Sequence, residues 1–187
     1  MSGCPSVSLD DFYRDGDHPD LPQTLGIVDW DDIASWDADG AVATLSELLA
    51  TGRAEVPVYS IAANARTGSR TVDLDDVGGP GRSRAPGCSG VIVAEGIFAP
   101  QMFERCRDAG LPVTAIWLDR PRTLSLVLRL VRDLREGRKR PGVLVRRGLA
   151  LWRAEPGVRA RALAAGCTPM SFRSALADLT GRPEPSD

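Results

Sequence analysis

Lysine is almost missing from this chain: of its 23 basic residues only Lys139 is a lysine, and the sole histidine is His18. No Gly-Lys pair occurs, so the phosphate-cradling pattern GxxxxGK[ST] is absent. Aromatics make up 5% of the residues and are not interleaved with the basic ones, which argues against base stacking along a single strand. No apolar run reaches the roughly eighteen residues that a membrane-spanning helix needs. No charged-apolar-small pattern opens the chain, so a cytoplasmic protein is expected. Cys4, Cys88, Cys106 and Cys167 show no CxxC pairing and read as buried or idle thiols rather than as zinc ligands or a disulfide framework.

What is present fits one domain over residues 1–180, followed by a tail, 181–187, expected to be disordered. The net charge of −2 hides a lopsided distribution. Residues 1–100 hold 16 acidic and 6 basic side chains, whereas residues 101–187 hold 9 acidic and 17 basic ones. A basic half beside an acidic half suits a polyphosphate ligand or a nucleic acid.

The chain is organised around Gly90-Val91-Ile92-Val93-Ala94-Glu95-Gly96-Ile97-Phe98. Its apolar, β-branched run predicts a strand buried on both faces of a parallel sheet, with Glu95 at the carboxyl edge where α/β proteins place ligands. Gly96 lets another group come close, and Glu95 is either a site carboxylate or a turn cap. Val7-Ser8-Leu9 predicts a short strand delivering Asp10-Asp11-Phe12-Tyr13 to its carboxyl end, again as a catalytic corner or a cap.

Residues 14–36 are acidic and carry Pro19, Pro22 and Gly26, so they predict a long surface loop with a solvated His18. A helix follows from Asp37 or Asp39 to Gly52, with Val42, Leu45, Leu48 and Leu49 inward. Next come a strand over 55–60, a hairpin partner over 70–77 and a Gly/Pro/Ser/Arg loop over 78–89. Beyond Phe98 the pattern predicts a helix from Pro100, a strand over 111–119, and a longer helix from Pro121 with an arginine face. Two more helices open at Pro141 and Pro156, and a last strand covers 167–172. Strands alternating with helices predict an α/β fold with a doubly wound parallel sheet and flanking helices.

The order Ser8-Leu9-Asp10-Asp11-Phe12-Tyr13, Val56-Pro57-Val58-Tyr59, Ala94-Glu95-Gly96-Ile97, Leu118-Asp119 and Arg132-Asp133 with a basic run resembles the uridine kinase family. The resemblance covers residues 6–168, with no single specific piece; it is carried by the order of the pieces. It implies a P-loop kinase that uses ATP and Mg²⁺ to phosphorylate a nucleoside hydroxyl. Through it, Asp10 matches the aspartate that accepts the hydroxyl proton and Tyr13 lies against the nucleoside. Asp29 matches a ribose-gripping aspartate, Tyr59 an aromatic of the base pocket, and Glu95 the carboxylate that helps hold Mg²⁺. Arg132, Arg138, Lys139 and Arg140 resemble a small helical lid closing on the phosphates. Phosphoryl transfer asks for such a base, metal and cations, and for little covalent work.

The departures are of two kinds, local substitutions and a larger one at the front. Ser60 replaces the family's Asp, Asn64 stands where many members have a base-pocket histidine, and Arg138-Lys139-Arg140-Pro141 replaces Glu-Arg-Gly-Arg. A related small alcohol fits the altered pocket. The family's first strand and phosphate loop have no counterpart in these residues. Because that strand lies between those matching 91–94 and 113–118, this chain is expected to be poorly stable, to bind ATP weakly or not at all, and to be inactive or weak as a kinase. A different class of function is also open: a catalytically silent module whose basic second half contacts RNA or an acidic partner. The sparse aromatics count against the RNA form of it.

Overall fold

The computed structural model describes residues 4–24, 26–75, 91–121, 123, 127 and 141–180. The expected lid residues Arg132, Arg138, Lys139 and Arg140 lie outside them, as do the loop over 78–89, the tail, and most of the helix expected from Pro121. Where the sequence suggests one domain, contacts divide the chain at Thr114. The first unit takes the described residues up to Val113 together with those from Ala177, and the second runs from Thr114 to Leu176.

In the first unit, β1 (Ser6–Ser8) runs straight into a 3-10 turn over Leu9–Phe12. Residues three apart eclipse in such a turn. Burying Leu9 and Phe12 almost completely therefore leaves Asp10 and Asp11 between them, out of the core. The stretch expected to be irregular loop contains a two-residue hairpin, β2 (Gln23–Thr24) with β3 (Ile27–Val28), and a second 3-10 turn at Ile33–Ser35. It ends in Trp36, one of the most buried side chains, whose Nε1 donates to the Leu9 carbonyl at 2.6 Å.

Helix α1 (Ala38–Thr51) starts where Asp37 accepts the Gly40 N–H at 3.0 Å and stops at Gly52, whose left-handed φ of 78° suits glycine. Ala38, Ala41, Leu45 and Leu48 form its buried face, while Leu49, expected inward, is exposed. Strand β4 (Arg53–Ser60) alternates exposed Arg53 and Glu55 with buried Ala54 and Val56, then pairs antiparallel with β5 (Ala65–Asp73). The partner strand thus starts earlier than the alternation at 70–77 suggested. Strand β6 (Val93–Glu95) pairs parallel with β1. It is shorter than expected and half-buried rather than buried on both faces, since β1 is its one partner strand among the described residues. Helix α2 (Ala99–Asp108), with Pro100 in its first turn, buries Met102 and Cys106.

In the second unit, β7 (Ile116–Leu118) pairs parallel with β8 (Thr168–Met170). The two helices expected from Pro141 and Pro156 are one, α3 (Pro141–Ala164), which carries Pro156 in its interior. A proline there removes one ladder donor and costs about 3 kcal/mol, yet does not end the helix. Helix α4 (Phe172–Thr180) follows β8, and only its part up to Leu176 belongs to this unit. The described strands form four two-stranded sheets, two parallel and two antiparallel. Cys106 and Cys167 are free and buried, but Cys4 is disulfide-bonded, which corrects the reading of four idle thiols.

Candidate functional site

The parallel register of β1 and β6 sets Ser8 opposite Glu95, so both strands deliver their next residues to one edge. The close approach anticipated at Gly96 is made by the Asp10 turn. A Cβ on Gly96 would stand 2.8 Å from Leu9 Cβ and 3.0 Å from Asp10 Oδ1. Asp10 is half-buried, and its Oδ1 is sealed from solvent without a hydrogen-bond partner. Burial, followed by the charge of Glu95, pushes its carboxyl above the ordinary aspartate value. The Ile97 N–H opposes this and the Asp11 charge adds to it. Glu95 itself is exposed. The edge therefore holds a carboxyl with raised proton affinity beside a solvent-facing carboxylate.

Asp11 Oδ1 accepts the Tyr59 N–H at 3.2 Å and so ties the turn to β4. Tyr13 donates its hydroxyl to the Trp30 carbonyl at 3.1 Å and meets the Trp30, Tyr59 and Phe98 rings at 5.5, 5.6 and 5.9 Å. Edge and tilted packing of this kind is favourable beyond simple burial. Burial and, next, the Asp10 charge push the Tyr13 phenol far up. Burial and then Asp15 raise Tyr59, whose hydroxyl donates to the Arg14 carbonyl at 3.3 Å. Both phenols stay neutral donors. Tyr13 and Tyr59, matched separately to the nucleoside side and the base pocket, are in ring contact. Trp30 and Phe98 complete the cluster unannounced, although Trp30 directly follows the candidate Asp29.

Asp29 serves its own loop: it accepts from Thr24 Oγ1 at 2.9 Å and from the Asp31 N–H at 3.2 Å. Asn64 is exposed in the β4–β5 turn with a left-handed φ of 49°. Its carbonyl accepts the Gly16 N–H at 2.6 Å, and any Cβ on Gly16 would stand 2.9 Å from the Asn64 Cβ. An open hollow of about 370 Å³ lies among Arg14, Asp15, Asp17, His18, Pro19, Asp37 and Arg66. His18 is partly buried there, with Nδ1 3.2 Å from the Asp20 N and Nε2 3.3 Å from Arg14. A neutral imidazole accepts at one nitrogen only, so one of these two is mere contact. In the basic half, Arg105 pairs with Asp39, Arg159 pairs with Asp119, and Arg120 lies over the Phe172 ring.

No group of three or more metal-ligating side chains occurs among the described residues. Mg²⁺ does not require one, because it keeps several waters and uses one or two carboxylates plus phosphate oxygens. The charge of the exposed Glu95 beside the Asp10 carboxyl suits a divalent cation at the solvent-facing side of this edge. An unscreened triphosphate does not suit it. No helix is long and apolar enough to cross a membrane among the described residues. No family model and no curated protein matches the chain.

Proposed function

We propose that the carboxyl edge of β1 and β6 is the acceptor side of an ATP-dependent phosphoryl transfer to a hydroxyl of a nucleoside-like small molecule. The observation that carries this reading is the pairing of Ser8 with Glu95, which brings a half-buried Asp10 of raised proton affinity beside an exposed carboxylate. Asp10 takes the proton of the attacking hydroxyl, a role that requires a carboxyl held close and partly dry. Glu95 holds Mg²⁺ directly or through water, and Mg²⁺, when bound, neutralises phosphate charge at this edge. The rings of Tyr13, Tyr59 and Trp30 offer the acceptor an aromatic wall, the two phenol protons being held by the Trp30 and Arg14 carbonyls. Asp29 and Asn64 are proposed to meet the acceptor from the flanking turns. Arg132, Arg138, Lys139 and Arg140 are proposed to meet the phosphates.

The fold proposed with this function is a doubly wound α/β domain, supported by a parallel strand pair in each unit. ATP-driven chemistry on nucleoside-like alcohols belongs in the cytoplasm. The disulfide at Cys4 argues the other way, since reducing compartments keep thiols free. The test is transfer of the labelled γ-phosphate of Mg-ATP to a panel of nucleosides and small alcohols. We expect weak but acceptor-dependent transfer, which Asp10→Asn lowers by about 100-fold or more with the fold intact. Absence of transfer to every acceptor would sink the reading.

A further inference from the structure

Arg66, at the start of β5, has contacts that reach well beyond its own hairpin. Its Nη2 donates to Asp37 Oδ2 at 2.9 Å and, at a longer 3.5 Å, to the Phe12 carbonyl. Its Nε donates to the Tyr13 carbonyl at 3.3 Å. Its own backbone N–H is taken by Asp15 Oδ1 at 2.6 Å. The guanidinium is planar with donors in a fixed fork, so acceptors that share it are held in one mutual arrangement. Those acceptors are the carbonyls that close the Asp10 turn and the carboxylate that starts α1. The Asp37 N–H adds a parallel link to the Phe12 carbonyl at 2.9 Å, and the Arg14 N–H one to the Ser35 carbonyl at 2.9 Å.

We propose that Arg66 is a positioning residue: its guanidinium locks the end of the Asp10–Tyr13 turn to the first turn of α1 and so fixes where Asp10 stands relative to Glu95. This rests on the reading of that edge as the acceptor site. The side chains of Arg66 and Asp37 remain 35% and 30% exposed. Ion pairs with that much water around them add little to stability. Geometry and stability therefore separate in experiment.

The full chain is compared with its Arg66→Ala and Arg66→Lys variants by amide hydrogen exchange and by acceptor-dependent turnover. In Arg66→Ala the Arg14 and Asp37 amides should exchange about tenfold faster while the amides inside α2 hold their rates. Turnover at saturating acceptor should fall about tenfold, with KM changed by less than about twofold. Lysine, a point charge without the fork, should restore neither in full. Should Arg66→Ala fail to fold, Arg66→Lys carries the same comparison. Unchanged exchange at Arg14 and Asp37, or equal acceleration across the unit, overturns the inference. If the parent chain transfers no phosphate, the proposed function fails, and the exchange data still decide whether Arg66 holds the turn.

Discussion

Burial and the charges of Glu95 and Asp11 keep the Asp10 proton on at pH values where the unfolded chain has released it. For an acid raised in the folded state, stability falls as pH climbs from the ordinary 3.8 through the folded value, and the deficit persists above it. Asp10→Asn removes the titration, so it should raise the thermal unfolding midpoint at pH 7 and flatten its gain on acidification. Melts between pH 4 and 7 would show this, and a lower midpoint would contradict it. Gly96→Ala should act in the opposite sense. The new methyl would press on Leu9 Cβ and Asp10 Oδ1 and cost about 1–3 kcal/mol in urea unfolding. Asp10, Glu95 and Gly96 were legible because a short apolar run ending in a carboxylate is a local pattern. Trp30, Phe98 and Arg66 were not. Their roles depend on contacts with Tyr13 and Phe12 that span 17 to 54 residues or more, which no local pattern encodes.

Helix α1 was legible from its cap, its period and its stop, all properties of neighbouring residues. Asp37 turns that cap into an acid-sensitive joint. Burial alone would raise its carboxyl, but the Arg66 hydrogen bond, the Gly40 N–H and the nearby guanidinium charges outweigh it and hold it below 3.8. A depressed carboxyl contributes stability that is present above the unfolded value and is lost as pH falls through the folded one. Asp37→Ala should therefore cost about 1 kcal/mol near neutrality. The gap to the parent chain should close as acid takes the pH below 3.8. Paired acid titrations followed by circular dichroism would test it; a gap that stays constant to the lowest pH would refute the joint. Other elements were misread for the same local reason. Pro156 looks like a helix start because proline is favoured there, and a helix interior that absorbs its cost leaves no mark in the sequence.

Across the whole molecule, the parallel pairing that unites the candidate site was implied by the α/β alternation, but its register was not. Nor does sequence mark how far strands 91–94 and 111–119 shorten to Val93–Glu95 and Ile116–Leu118. The division at Thr114 and the bond at Cys4 were equally silent. The register of β1 on β6 has a consequence in time. Its partners are roughly 90 residues apart along the chain, whereas β4 and β5 meet across a tight turn, and distant pairings form late because loop closure precedes their reward. During refolding the β4–β5 hairpin and α1 should gain amide protection first, leaving a chain with native segments and an unassembled β1–β6 edge. Pulse labelling should find Val93, whose N–H meets the Pro5 carbonyl at 2.9 Å, protected last. A chain released from the ribosome before β6 emerges would carry the Asp10 turn, already tied to β4 and Trp36, beside a β1 that lacks its parallel partner.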